Sequence, residues 1–182
     1  MQPRSIEAAR SRAFGRARGS PSRQPALLLA ALALCVGLLV YLADRRPGDT
    51  LLLPRFATLG TGPVFGAIAS WLPSFVHPFA FSLLSAAVPR RPVASVHAAY
   101  GLCAFWWAVN LVFEIGQHPR VSASIAEALQ ASLGRNGATA AISRFFLRGR
   151  FDWADIAALS AGAVAAAAVL WWLHKGEDDH DA

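Results

Sequence analysis

Four stretches of this chain are almost free of polar side chains, and each is bounded by charge, proline or glycine. The first, 26–43, is 18 residues without a formal charge. That is about the shortest helical run able to cross a hydrocarbon core of roughly 30 Å. The second, 72–88, is shorter and interrupted by His77-Pro78, and the third, 93–113, carries no formal charge with His97 neutral. The fourth, 151–173, holds its only acids, Asp152 and Asp155, in the first turn. The pattern predicts an all-α integral membrane protein of about four transmembrane helices, its one domain covering 26–173. A basic tail, 1–25, precedes that domain and an acidic tail, 174–182, follows it.

Two connections carry patterns of their own. Segment 51–71 contains Gly60-Thr61-Gly62-Pro63 and then an apolar run, 64–69. It reads either as an extra re-entrant segment or as a surface loop with a short interfacial helix. No Lys-Ser/Thr pair follows the glycines, which rules out a phosphate-cradling Walker loop. The long loop 118–149 holds Val121, Ile125, Ala128, Leu129 and Leu133 at helical spacing, opposite Ser124, Glu127 and Gln130. A second cluster follows at Ile142, Phe145, Phe146 and Leu147. Two readings stand: amphipathic pieces lying in the membrane interface and roofing a polar face, or an ordinary soluble loop helix.

Composition agrees with the hydropathy pattern: 55% of the 182 residues are hydrophobic and only 15% charged. The net charge of +6 does not read as nucleic-acid binding, because the arginines are scattered. Six of them, from Arg4 to Arg23, are interleaved with Gly, Ser and Pro before the first span. Beside a membrane such a tail signals topology and touches anionic lipid. It is also too long for the basic region of a cleaved signal peptide, so the first span reads as an uncleaved anchor. The tail and the tight Pro89-Arg90-Arg91-Pro92 turn favour both termini in the cytoplasm. Cys35 and Cys103 lie in separate apolar runs and suggest neither a disulfide framework nor a metal knuckle.

Relative placement is firmer than absolute orientation. In any four-span arrangement the start of span two, the end of span three and the start of span four share one side. His77, Glu114, Gln117, Arg150, Asp152 and Asp155 then gather at one membrane face, the outer one if the tails are inside. Asn110, Glu114 and Gln117 form a stripe on span three that continues inward through Trp107 and Cys103. Asp152, Asp155, Leu159, Gly162 and Ala166 form a comparable stripe on span four, its small residues suited to close helix approach. Asp152 and Asp155 sit where an N-cap and the third helical residue stand, so helix capping explains them as well as a ligand does. Glu114 gains nothing from its own helix, whose C-terminus repels an acid; it pairs with Arg150 or handles a ligand. No spacing calls for a metal or another cofactor.

These residues resemble the VanZ-like family of small bacterial membrane proteins. The likeness rests on His77-Pro78-Phe79-Ala80-Phe81 opening one span, Glu114-x-x-Gln117 ending the next, and Arg150-Phe151-Asp152-x-x-Asp155 with Gly162 opening another. It covers roughly 72–173. The chain departs from the family pattern in having Pro73 and Ser74 where an acid–lysine pair is common, Leu159 for an asparagine and Ala166 for a second glycine. Its loop between Gln117 and Arg150 is also longer. The resemblance implies a bacterial inner-membrane protein of the cell envelope whose polar outer face engages a lipid-linked or cell-wall component. Glycopeptide resistance is the associated trait. The alternatives are a membrane enzyme using Glu114 and His77 in acid–base chemistry, and a non-catalytic assembly or partner protein. The partners expected are the lipid bilayer and such a ligand, with no nucleic acid; the sequence leaves the oligomeric state open.

Overall fold

The structure, a computed structural model, describes residues 23–44, 64–88 and 95–178. Among them are six α-helices and no strand: α1 Arg23–Asp44, α2 Ile68–Ala87, α3 Val96–Gly116, α4 Pro119–Leu133, α5 Gly137–Arg148 and α6 Trp153–Asp178. Four of these, α1, α2, α3 and α6, are long and apolar enough to cross a membrane. The chain is therefore an all-α membrane protein. The helices overrun the apolar stretches because hydropathy marks the part that suits hydrocarbon, not where the backbone stops coiling. Thus α3 begins only after Ser95, whose hydroxyl accepts the Ala98 N–H at 3.2 Å, and runs on to Gly116. Helix α6 continues past Leu173 to Asp178.

Of the 51–71 segment, residues 51–63 lie outside the described part. Residues 64–67 form a turn that leads into α2, with Gly66 at φ 57°. The Asp44 carboxylate at the end of α1 accepts the Val64 N–H at 2.7 Å and the Phe65 N–H at 3.0 Å. At the other end of the same helix pair, Arg23 Nε donates to the Ala87 carbonyl at 2.8 Å. Helices α1 and α2 are thus fastened together at both ends.

Helix α2 is the hub: it packs against α1 on one side and α6 on the other, and α3 fits against both α2 and α6. The core between them is built largely from small side chains, with Ala30, Ala80, Ala99 and Ala166 fully buried beside Val76, Leu83 and Leu170. Small residues let helix backbones approach closely, which is how spans associate when lipid is as apolar as they are. One close approach is at Gly162, where the carbonyl of Phe75 occupies the space a β-carbon would need. The outward faces carry exposed Leu28, Leu32, Val112 and Val164, as surfaces that meet acyl chains should.

The loop between α3 and α6 is two amphipathic helices packed on each other. Gly134, at φ 71°, makes the turn between them, and Asn136 caps α5 by accepting the Thr139 N–H at 2.9 Å. The pair is seated on the end of α3. A β-carbon at Gly116 would meet the Phe146 ring at 2.6 Å and Ile125 at 3.2 Å.

Candidate functional site

Three helix ends meet beneath that helical pair, and hydrogen bonds between them can be followed inward from the surface. Outermost, a Glu114 carboxylate oxygen at the end of α3 accepts the Asp152 N–H at 2.8 Å. Next, the Ser74 hydroxyl of α2 donates to the Asp155 carboxylate of α6 at 2.7 Å. Deeper, the Trp107 indole N–H of α3 donates to the Ser160 hydroxyl of α6 at 3.1 Å. The start of α2, the end of α3 and the start of α6 therefore lie at one end of the bundle.

Asp152 is the N-cap of α6. Its carbonyl accepts the Ile156 N–H and its side chain accepts the Ala154 N–H at 2.9 Å. In an ordinary capping box the third helical residue would reach back to the N-cap N–H. Here that residue is Asp155, and its carboxylate accepts from Ser74 instead. Glu114 takes the vacant role from another helix. The carboxylate that its own helix dipole disfavours thus sits at the positive N-terminus of α6, which favours it. Glu114 is almost fully shielded, at 7% exposure.

Gln117 works beside it. Its side chain fills the space against Gly149 so closely that a β-carbon there would overlap its amide. The two ends of Glu114-x-x-Gln117 thus grip the connection into α6 on either side of Arg150, Gln117 at Gly149 and Glu114 at Asp152. Arg150 itself is exposed and forms no ion pair or hydrogen bond with another described residue. Aromatic rings fence the connection: Phe151 lies edge-on to His118 at 5.1 Å and to Trp153 at 5.2 Å.

His77 is half-buried on α2 and stacks on Phe81 at 5.9 Å, and Phe81 meets Trp106 of α3 at 4.9 Å. One turn outward from that contact on each helix stand His77 and Asn110. The Asn110 amide donates to the Trp106 carbonyl at 2.8 Å and so stays on its own helix. Among the described residues no three His, Cys, Asp or Glu side chains are grouped as metal ligands.

Two participants were not singled out from the sequence, Ser74 and Ser160. Their signal was a hydroxyl within an apolar helix, a residue type that bonds across helices in membranes. Ser160 uses its hydroxyl fully, accepting from Trp107 and donating to the Ile156 carbonyl at 2.9 Å. Comparison of the chain with family models, curated proteins and solved structures gives no match.

Proposed function

We propose that this is a VanZ-like envelope protein of the bacterial inner membrane, whose Arg150 engages the phosphate of a lipid-linked cell-wall component. Both termini would be cytoplasmic and the clamped end would face outward. The observation that carries the reading is the setting of Arg150: an exposed guanidinium, with no ion pair among the described residues, on a connection gripped at both ends. A planar guanidinium fork can take two phosphate oxygens at once, and a backbone held on both sides of it lowers the ordering cost of binding. Glu114 and Gln117 are then positioning residues, with Asp152 and Asp155 fixing the helix behind them. A consequence for glycopeptide susceptibility follows where the ligand is a cell-wall precursor.

A purely structural role, as a partner or assembly factor, has its own support, since Glu114 and Asp155 spend their bonds on the protein itself. Acid–base catalysis has less. The Asp152 N–H occupies one Glu114 oxygen, and His77 faces an aromatic ring.

Native mass spectrometry of the purified chain with a polyprenyl phosphate separates these readings. Binding that falls about tenfold in Arg150→Ala, at unchanged thermal stability, is expected for a two-bond phosphate contact of ~1.5 kcal/mol or more. Equal binding by both proteins would leave the structural role in possession. Labelling of Ser132→Cys on intact cells by a membrane-impermeant maleimide, with Cys35 and Cys103 replaced by Ala, checks sidedness. Labelling only after permeabilisation would sink the outward orientation.

A further inference from the structure

The two loop helices present different outer faces. On α4 the exposed side chains are Arg120, Ser124, Glu127, Gln130 and several alanines, with Leu133 the only large apolar one, at the last turn. On α5 the buried stripe is Thr139, Ser143 and Phe146, turned toward α3 and α4. That leaves a second, apolar stripe, Ala138, Ile142 and Phe145, pointing away from the pair. Arg144 and Arg148, one turn apart, flank it and are both exposed. Leu147 is the exception, exposed on the opposite flank.

The apolar stripe of α5 is not isolated. Phe145 lies edge-on to Phe113 of α3 at 6.1 Å, and Phe113 is itself exposed on the outer surface of that spanning helix, beside Val112. The lipid-facing surface of α3 therefore continues onto α5. Phe113 stands three residues before the end of α3, which puts this contact roughly 4.5 Å inside the helix terminus at 1.5 Å per residue. With the helix terminus at the headgroup level, that contact falls near the boundary between acyl chains and headgroups. Charge points the same way: residues 118–151 hold five arginines against one acid, Glu127.

We propose that α5 lies half-immersed in the leaflet, with Ala138, Ile142 and Phe145 against acyl chains and Arg144 and Arg148 binding the phosphates of acidic phospholipid. Helix α4 rides above it on the water side. A helix with an apolar stripe edged by arginines is the form that membrane-surface helices take. The stripe supplies burial, and each arginine adds attraction to anionic headgroups. The Phe146 contact with Gly116 then ties lipid engagement to the helix end from which Glu114 projects.

The test uses the full chain with Cys35 and Cys103 replaced by Ala. One cysteine is placed at Ile142 or at Ala131 on the outer face of α4, and labelled with an environment-sensitive fluorophore. The protein is reconstituted in phosphatidylcholine–phosphatidylglycerol vesicles carrying a nitroxide on the acyl chain. Quenching at Ile142 at least about twofold stronger than at Ala131 is expected for an immersed stripe. Equal quenching at the two positions would overturn the proposal. The acidic-lipid part is read separately, by phosphatidylglycerol competing against phosphatidylcholine for the detergent-purified chain. Arg144→Gln and Arg148→Gln should each cost about fivefold in that preference, the equivalent of ~1 kcal/mol per surface charge. An unchanged preference in the double variant would overturn it. Neither readout involves Glu114, Gln117 or Arg150, so failure here and failure of the Arg150 reading are distinct results.

Discussion

Replacing Glu114 tests whether the α3–α6 junction is held by a backbone hydrogen bond or by an ion pair. In Glu114→Ala the Asp152 N–H loses its acceptor. Leaving a donor unsatisfied costs about 1–3 kcal/mol when it is fully buried. The Asp152 bond is only part-buried, so water partly repairs the loss and about 1–2 kcal/mol is expected. Losing a negative charge from the N-terminus of α6 adds ~0.3–1 kcal/mol. Glu114→Gln keeps an acceptor oxygen in the same place and should lose only the charge-assisted part, about 1 kcal/mol. Arg150→Ala should lose nothing, because Arg150 forms no ion pair with a described residue. A convenient reporter is built in: with Cys35 replaced by Ala, the one remaining thiol is Cys103, 4% exposed in the core. A dye that fluoresces on reacting with that thiol follows unfolding in detergent. At about 2–4 °C per kcal/mol for a chain of this size, Glu114→Ala should lower Tm by roughly 3–12 °C, and Glu114→Gln by about 2–4 °C. A drop in Arg150→Ala equal to that of Glu114→Ala would refute the reasoning, since it would make the guanidinium the true partner of the carboxylate.

Other contacts give sharper local tests. Gly162→Ala pushes a β-carbon into the Phe75 carbonyl and should destabilise the bundle by about 1–3 kcal/mol. Gly101→Ala, where a β-carbon meets nothing within 4 Å, should leave Tm unchanged or slightly raised. In a double-mutant cycle of Ser74→Ala and Asp155→Ala, thermal melts should return a coupling of about 0.5–1.5 kcal/mol, and strict additivity would deny the α2–α6 bond. Gly149→Ala collides with the Gln117 side chain, so its Tm loss should be recovered when Gln117→Ala is added; persistent loss would place the strain elsewhere. Trp107→Phe removes the donor to Ser160 and should cost ~1 kcal/mol by the same melts, with no further loss when Ser160→Ala is combined with it.

How much of this could be read from the chain differs from residue to residue, for physical reasons. The four spans were legible because crossing a bilayer demands a long apolar helix, a requirement met within one segment regardless of its neighbours. The N-cap geometry of Asp152 was legible on the same ground: capping is settled within four residues. The gathering of α2, α3 and α6 at one end followed from chain direction alone. The partner of Glu114 did not. From the sequence, Arg150 was the natural match, a unit charge of opposite sign across the loop. In the folded chain the carboxylate meets the Asp152 N–H at 2.8 Å, and Arg150 is exposed, with no ion pair to a described residue.

That outcome hangs on helix register. One residue of rotation on α6 turns a side chain by about 100°, enough to exchange Asp155 for a neighbour that cannot meet Ser74. The register is set by where Gly162 admits the Phe75 carbonyl and where Ala166 packs, contacts between segments more than 80 residues apart. The loop helices divide the same way. Their amphipathic spacing was visible in the sequence, but either apolar stripe of α5 could have faced the protein. Phe146 won that place because Gly116 leaves room for its ring, and Ile142 was left outside. By itself the sequence determined a four-helix membrane protein with a polar end, since hydropathy and capping act over a few residues. Only the tertiary structure decided which polar groups hold one another, as Glu114 holds the Asp152 N–H, because a hydrogen bond needs its partners within about 3 Å.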